Sequence, residues 1–190
     1  MSRCPIRRPR TPLALHELLL HEHVTTERTS MSTIAGLPAH ILLLHFVVAL
    51  APLTAILLIL CAVWPAVRRR LVWLVAILAG ATLLVTPATV SAGEWLADTG
   101  KIDPSPELDK HMAAGEYGLY MALGLAVAAV LLAGLHVAGS RERRVAPAVR
   151  LAIVAVVIAL AGGSMFAIHT IGESGAKAAW GSLLAPSGNP

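Results

Sequence analysis

Four long apolar runs, at 41–63, 71–92, 119–138 and 151–168, alternate with short polar segments along the chain. Each run is close to the ~20 residues with which a helix crosses a hydrocarbon core ~30 Å thick. Lipid offers no hydrogen-bonding partner to backbone groups, so runs of this length and apolarity are expected to be helical. The fold class expected is therefore all-α: a polytopic membrane protein whose four transmembrane helices form a bundle over 37–182. Pro52 and Pro87 fall inside the first two runs and are expected to kink those helices. Gly124, Gly134, Gly162 and Gly163 suit close helix packing.

The polar segments set the expected orientation. Arg68, Arg69 and Arg70 follow the first run, and Arg141, Arg143, Arg144 and Arg150 separate the third from the fourth. The segment between the second and third carries Asp98, Asp103, Glu107 and Asp109 against Lys101 and Lys110. Arginine-rich loops stay in the cytoplasm, which puts both termini and the acidic loop on the extracytoplasmic side of a cell membrane. Residues 1–36 read as a polar, disordered tail. Its arginines oppose that orientation, but Met31 offers a second translation start that would remove them. Residues 183–190 form a short C-terminal tail. Trp64, Trp73, Trp95 and Trp180 read as interface anchors.

Composition narrows the class further. The 190 residues are 56% hydrophobic and 14% charged, with a mean hydropathy of +0.73, whereas soluble domains carry about 25% charged residues. The net charge of +4 arises from residues flanking apolar runs, without the aromatic interleaving of a nucleic-acid surface. The expected partner is the lipid bilayer, not nucleic acid, and composition leaves a redox or membrane-subunit partner open. Cys4 and Cys61 lie far apart in sequence and suggest neither a disulfide framework nor a thiolate metal site. No nucleophile motif, phosphate loop or zinc-protease signature occurs. Ser164 is expected to pack inside the fourth helix. The chain reads as a non-enzyme on its own.

The spacing of polar residues suggests two repeated helical hairpins. His40 and His111 open the odd-numbered helices 71 residues apart, and His45 and Glu116 share that spacing. Glu94 and Glu173, each in a helix-closing segment after a glycine, are 79 apart. Such a repeat implies an approximate twofold axis along the membrane normal.

Under this topology His40, His45, Glu94, His111, Glu116, His169 and Glu173 gather at the extracytoplasmic end of the bundle. Ionisable groups at membrane depth are costly and tend to face the bundle interior, pair, or bind a ligand. His169 and Glu173, four apart, share a helix face. His40 and His45, five apart, diverge by roughly 140°. The plainer reading is that these residues cap helix ends or meet lipid headgroups, and it applies most to His40 and Glu94. His136, near the other end, and His16, His21 and His23 in the tail read as structural. The functional readings are two. Haem b could be ligated by His45 with His169, or by His40 with His111, for electron transfer or redox sensing. Alternatively, His45, His111, Glu116, His169, Glu173 and Glu94 offer ligands for a transition-metal ion. Against ion transport, His136 is the sole polar stepping stone toward the cytoplasm. A third possibility is a non-catalytic subunit whose polar end docks a partner.

The segment GLPAHILLLHFVVALAPL, with its His-x-x-x-x-His-Phe pattern, resembles the opening helix of an uncharacterised bacterial membrane family, domain of unknown function 2231. HTIGESGAKAAWG is similar to that family's closing segment, the likeness covering about residues 36 to 182. The resemblance implies a four-helix fold and no defined activity. It also implies an association with Rieske or c-type cytochrome modules, to which relatives lie adjacent or fused. Where the family pattern has a histidine this chain carries Glu173, which argues against a direct ligand role there.

Overall fold

The structure, a computed structural model, describes residues 33–34, 37–99 and 104–184. The tail with Cys4, His16, His21, His23 and Met31 lies outside the described residues, as do 185–190. A two-residue antiparallel pairing of β1 (Thr33–Ile34) with β2 (Leu37–Pro38) leads into the first helix. Four helices then follow, α1 (Ala39–Val63), α2 (Pro65–Asp98), α3 (Pro106–Ser140) and α4 (Pro147–Leu184). All four are long and apolar enough to cross a membrane. The chain is a multi-pass membrane protein.

Proline marks where three of the helices begin. Pro65, Pro106 and Pro147 occupy first positions, where the missing N–H costs nothing and the fixed φ is already helical. Trp64 alone separates α1 from α2, in an extended conformation. At α3, the Ser105 hydroxyl accepts from the Leu108 N–H at 3.1 Å, while Glu107 and Asp109 in the first turn complement the helix dipole. These signals start α3 well ahead of its apolar run, whereas α4 overruns its own run at the other end, continuing to Leu184. Hydropathy marks where lipid is, not where the helix stops. Pro52 and Pro87 both lie within continuous helices.

Neighbouring helices pack in the order α1, α2, α3, α4, with α4 closing back onto α1. The α1–α3 diagonal is the short one, because these two helices also touch each other. Accordingly, 39% of the apolar window is buried in α1 and α3, against 28% in α2 and 22% in α4. The core is small-residue packing. Ala51, Ala55, Leu58, Cys61, Val75, Ala79, Leu125, Ala128, Leu132, Val157 and Ala161 form it. Ile77, Leu84, Val130, Leu151 and Phe166 stand outward, as expected of a surface solvated by lipid.

Buried hydroxyls are satisfied locally. Thr82, Thr86 and Thr89 donate to the carbonyls of Leu78, Thr82 and Val85 at 2.7–2.9 Å. Ser164 donates toward the Leu160 and Met121 carbonyls at 2.8 and 3.2 Å. It is buried and serves packing. Cys61 is a buried free thiol.

The α3–α4 turn contains one unfavourable residue. The Arg143 N–H reaches the Ala138 carbonyl at 3.0 Å, closing a Schellman-type cap around Glu142 at φ 54°. This left-handed position favours glycine. A side chain there costs roughly 1–2 kcal/mol, partly offset by the greater chain entropy of glycine. Glu142→Gly is thus expected to stabilise the protein by ~0.5–1 kcal/mol, measured as a rise of a few degrees in the melting temperature in detergent.

Candidate functional site

The end of the bundle remote from the arginine loops, here the histidine end, carries all seven of the ionisable residues singled out above. The structure divides them into an inward pair and an outward set. His40 and His111 project from α1 and α3 across the short diagonal. Their ring centroids are 6.5 Å apart, with the planes at 73°. Both are partly buried.

Each ring rests on a glycine of the following helix. A Cβ on Gly93 of α2 would lie 2.8 Å from Cε1 and Nδ1 of His40. A Cβ on Gly175 of α4 would lie 2.9 Å from Cε1 of His111. Distances below 3.0 Å are not tolerated between such atoms, so only glycine admits the rings in these positions.

The hydrogen bonds define the tautomers. His40 Nδ1 lies 2.8 Å from the Thr89 carbonyl oxygen, which can only accept, so Nδ1 carries the hydrogen. His111 Nδ1 lies 3.1 Å from the Ser174 hydroxyl oxygen. That hydroxyl donates its own hydrogen to the Ile171 carbonyl at 2.9 Å and therefore accepts from His111. In the neutral form of both rings Nε2 keeps its lone pair. Metal-ligating histidines are held in this way, with the second nitrogen donating to a fixed acceptor that sets ring orientation and raises basicity.

The other members of the set face outward. His45 is exposed, with Nδ1 turned back onto the Ile41 carbonyl of its own helix. Glu94 and Glu116 are exposed. Glu173 is closer to Lys177, whose Nζ donates to Oε1 at 2.7 Å, than to His169, at 3.9 Å. Its partner is thus a lysine one turn on, an i,i+4 pairing visible in the sequence but not anticipated. Among the described residues no group of three or more His, Cys, Asp or Glu side chains is placed to hold a metal ion. His40 and His111 are the two of the seven whose rings the structure brings together.

Both histidines are legible in the sequence; the residues that hold them, Thr89, Gly93, Ser174 and Gly175, are not. The available signal was a glycine on each even-numbered helix at a level facing the histidine of the preceding one. His136 lies at the opposite end, its ring edge-on to Trp73 with centroids 6.3 Å apart. Comparison with protein-family models, with curated proteins and with solved structures finds no match to this chain.

Proposed function

We propose that this chain is a membrane-embedded redox protein in which His40 and His111 together ligate one transition-metal centre, haem iron in the first instance. The observation that carries the reading is the meeting of these two rings, each with Nδ1 engaged. Nitrogens that share a metal lie ~2.0–2.1 Å from it, and the 6.5 Å between these ring centroids is short enough for one ion to be reached by both rings. Ligation of a cofactor by inward-facing residues on different helices is an established use of helical bundles. A bis-histidine iron would supply one-electron transfer. The protein's part is to set the neutral Nδ1–H tautomer, fix the rings through Thr89 and Ser174, and exclude bulk beside them with Gly93 and Gly175.

A two-hairpin repeat supports the same reading. The buried residues Val47, Ala51, Thr54, Leu58 and Cys61 of α1 precede Gly118, Ala122, Leu125, Ala129 and Leu132 of α3 by 71 positions, as His40 precedes His111. Val75, Ala79, Thr82, Thr86 and Thr89 of α2 precede Val157, Ala161, Ser164, Ile168 and Ile171 of α4 by 82, as Gly93 precedes Gly175. On this register the even helices are offset by 82 rather than the 79 separating Glu94 and Glu173. An approximate twofold axis would then pass between the two rings, and a metal on that axis would see equivalent ligands. The arginine loops favour a cytoplasmic position for the opposite end, leaving the histidine end extracytoplasmic. Outward-facing His45, Glu94, Glu116 and His169 suit contact with a redox partner, in keeping with the family that the sequence resembles.

The test is an absorption spectrum of detergent-purified protein, air-oxidised and dithionite-reduced, after expression with haem precursor. A Soret band that shifts on reduction is expected. A colourless protein retaining stoichiometric metal would transfer the site to a metal ion, the alternative reading. A colourless and metal-free protein would rule out both and leave a non-catalytic subunit.

A further inference from the structure

The arginine end carries a second feature, independent of the histidine pair. Arg68, in the first turn of α2, is only 8% exposed. Its hydrogen bond among the described residues is a long one, from Nη1 to the Cys61 carbonyl at 3.3 Å. The charges acting on it from α2 and α4, those of Arg69 and Arg150, are also positive. The ion pairs among the described residues are Lys110–Glu107, His169–Glu173 and Lys177–Glu173, so no carboxylate neutralises it. A buried guanidinium without an anion is strongly unfavourable.

Arg68 lines an open cleft of about 240 Å³ between the start of α2 and the end of α3, together with Arg69, His136 and Ser140. The first turn of α2 adds its dipole there, and Trp64 contributes no side-chain cap, which leaves amide donors for an anion. Further along the same two helices runs an apolar groove of about 290 Å³, lined by Trp73, Ala76, Gly80, Ala126, Ala129 and Ala133 among others. Trp73, which lines the groove, and His136, which lines the cleft, are in edge-on contact. A Cβ on Gly80 would meet nothing within 4 Å, so the groove is open at that level. From Arg68 to Gly80 the helix rises ~18 Å, about the depth of one leaflet of a ~30 Å hydrocarbon core.

We infer that the α2–α3 face is a binding site for an anionic phospholipid, with the phosphate at Arg68 and Arg69 and one acyl chain along the groove past Gly80. Basic clefts between membrane helices recognise phosphate-bearing headgroups. The groove decides in favour of lipid over free phosphate, because a small anion would not use it.

Native mass spectrometry of the delipidated full chain in detergent tests this, with phosphatidylglycerol and phosphatidylcholine of matched acyl chains as probes and inorganic phosphate as competitor. Preference for phosphatidylglycerol on the order of tenfold is expected from two arginines. Arg68→Gln should lower the preference severalfold, as should Arg69→Gln. Gly80→Leu, which enters open space and should fold normally, should weaken retention of the lipid severalfold. If Arg68→Gln does not fold, Arg69→Gln and Gly80→Leu decide. Equal retention of the two lipids, unchanged retention in Gly80→Leu, or displacement by inorganic phosphate as effective as by added phosphatidylglycerol would each overturn the assignment.

Discussion

Gly93→Ala is expected to leave the bundle folded and to disable the histidine site. The added Cβ would lie 2.8 Å from two atoms of the His40 ring. That ring is the end of a side chain with two rotatable bonds, so it yields before the backbone does. Its displacement breaks the bond to the Thr89 carbonyl, a loss of ~0.5–1.5 kcal/mol. Alanine in place of glycine within a helix returns ~1 kcal/mol. These terms nearly cancel, and the melting temperature should move little. The site should not survive, because loss of the contacts that orient a ligating histidine weakens metal affinity about 10–100-fold. Gly175→Ala should act similarly on His111, where the Cβ would approach to 2.9 Å. Haem or metal content measured beside a thermal melt separates the two effects. Full retention in both variants would show that the rings are not held as described.

Gly118→Leu is expected to have the largest effect on folding. Gly118 is buried in α3, and a Cβ there would lie 3.4 Å from Thr86 Cγ2 and 4.0 Å from Ile171 Cδ1. Alanine therefore fits in ordinary contact and should be nearly neutral. Leucine adds three further carbons against α2 and α4 where both facing residues are themselves buried. Overpacking of this kind costs ~1–3 kcal/mol, and here it would push apart the helices that carry Thr89 and Ser174. A melting temperature lowered by several degrees for leucine and not for alanine is the expected outcome. A leucine variant as stable as the native protein would contradict the packing at this crossing.

Much of this architecture is legible in the sequence, because a membrane imposes its thickness on every apolar run. The number of helices and the gathering of seven ionisable residues at one end follow from run length and alternation alone. Helix ends are less legible. The run at 119–138 says nothing of the turns from Pro106 to Gly118, which proline and a serine cap start and which are not lipid-embedded by composition. The split between inward and outward groups is less legible still. In a soluble helix the apolar stripe points to the core, but here apolar residues cover every face, so His40 and His45 look alike in sequence. What distinguishes His40 lies on another helix, where Gly93 makes room for it, while His45 turns onto its own backbone. Likewise Glu173 pairs more closely with Lys177 than with His169, a choice made by side-chain reach rather than by spacing.

The most direct measurement is the stoichiometry of bound haem and metal per chain in four single variants purified alongside the native protein. The paired-histidine site predicts one centre per native chain, lost in His40→Ala and in His111→Ala and kept in His45→Ala and His169→Ala. A centre that survives both inner substitutions, or is lost with His45 or His169, would contradict it.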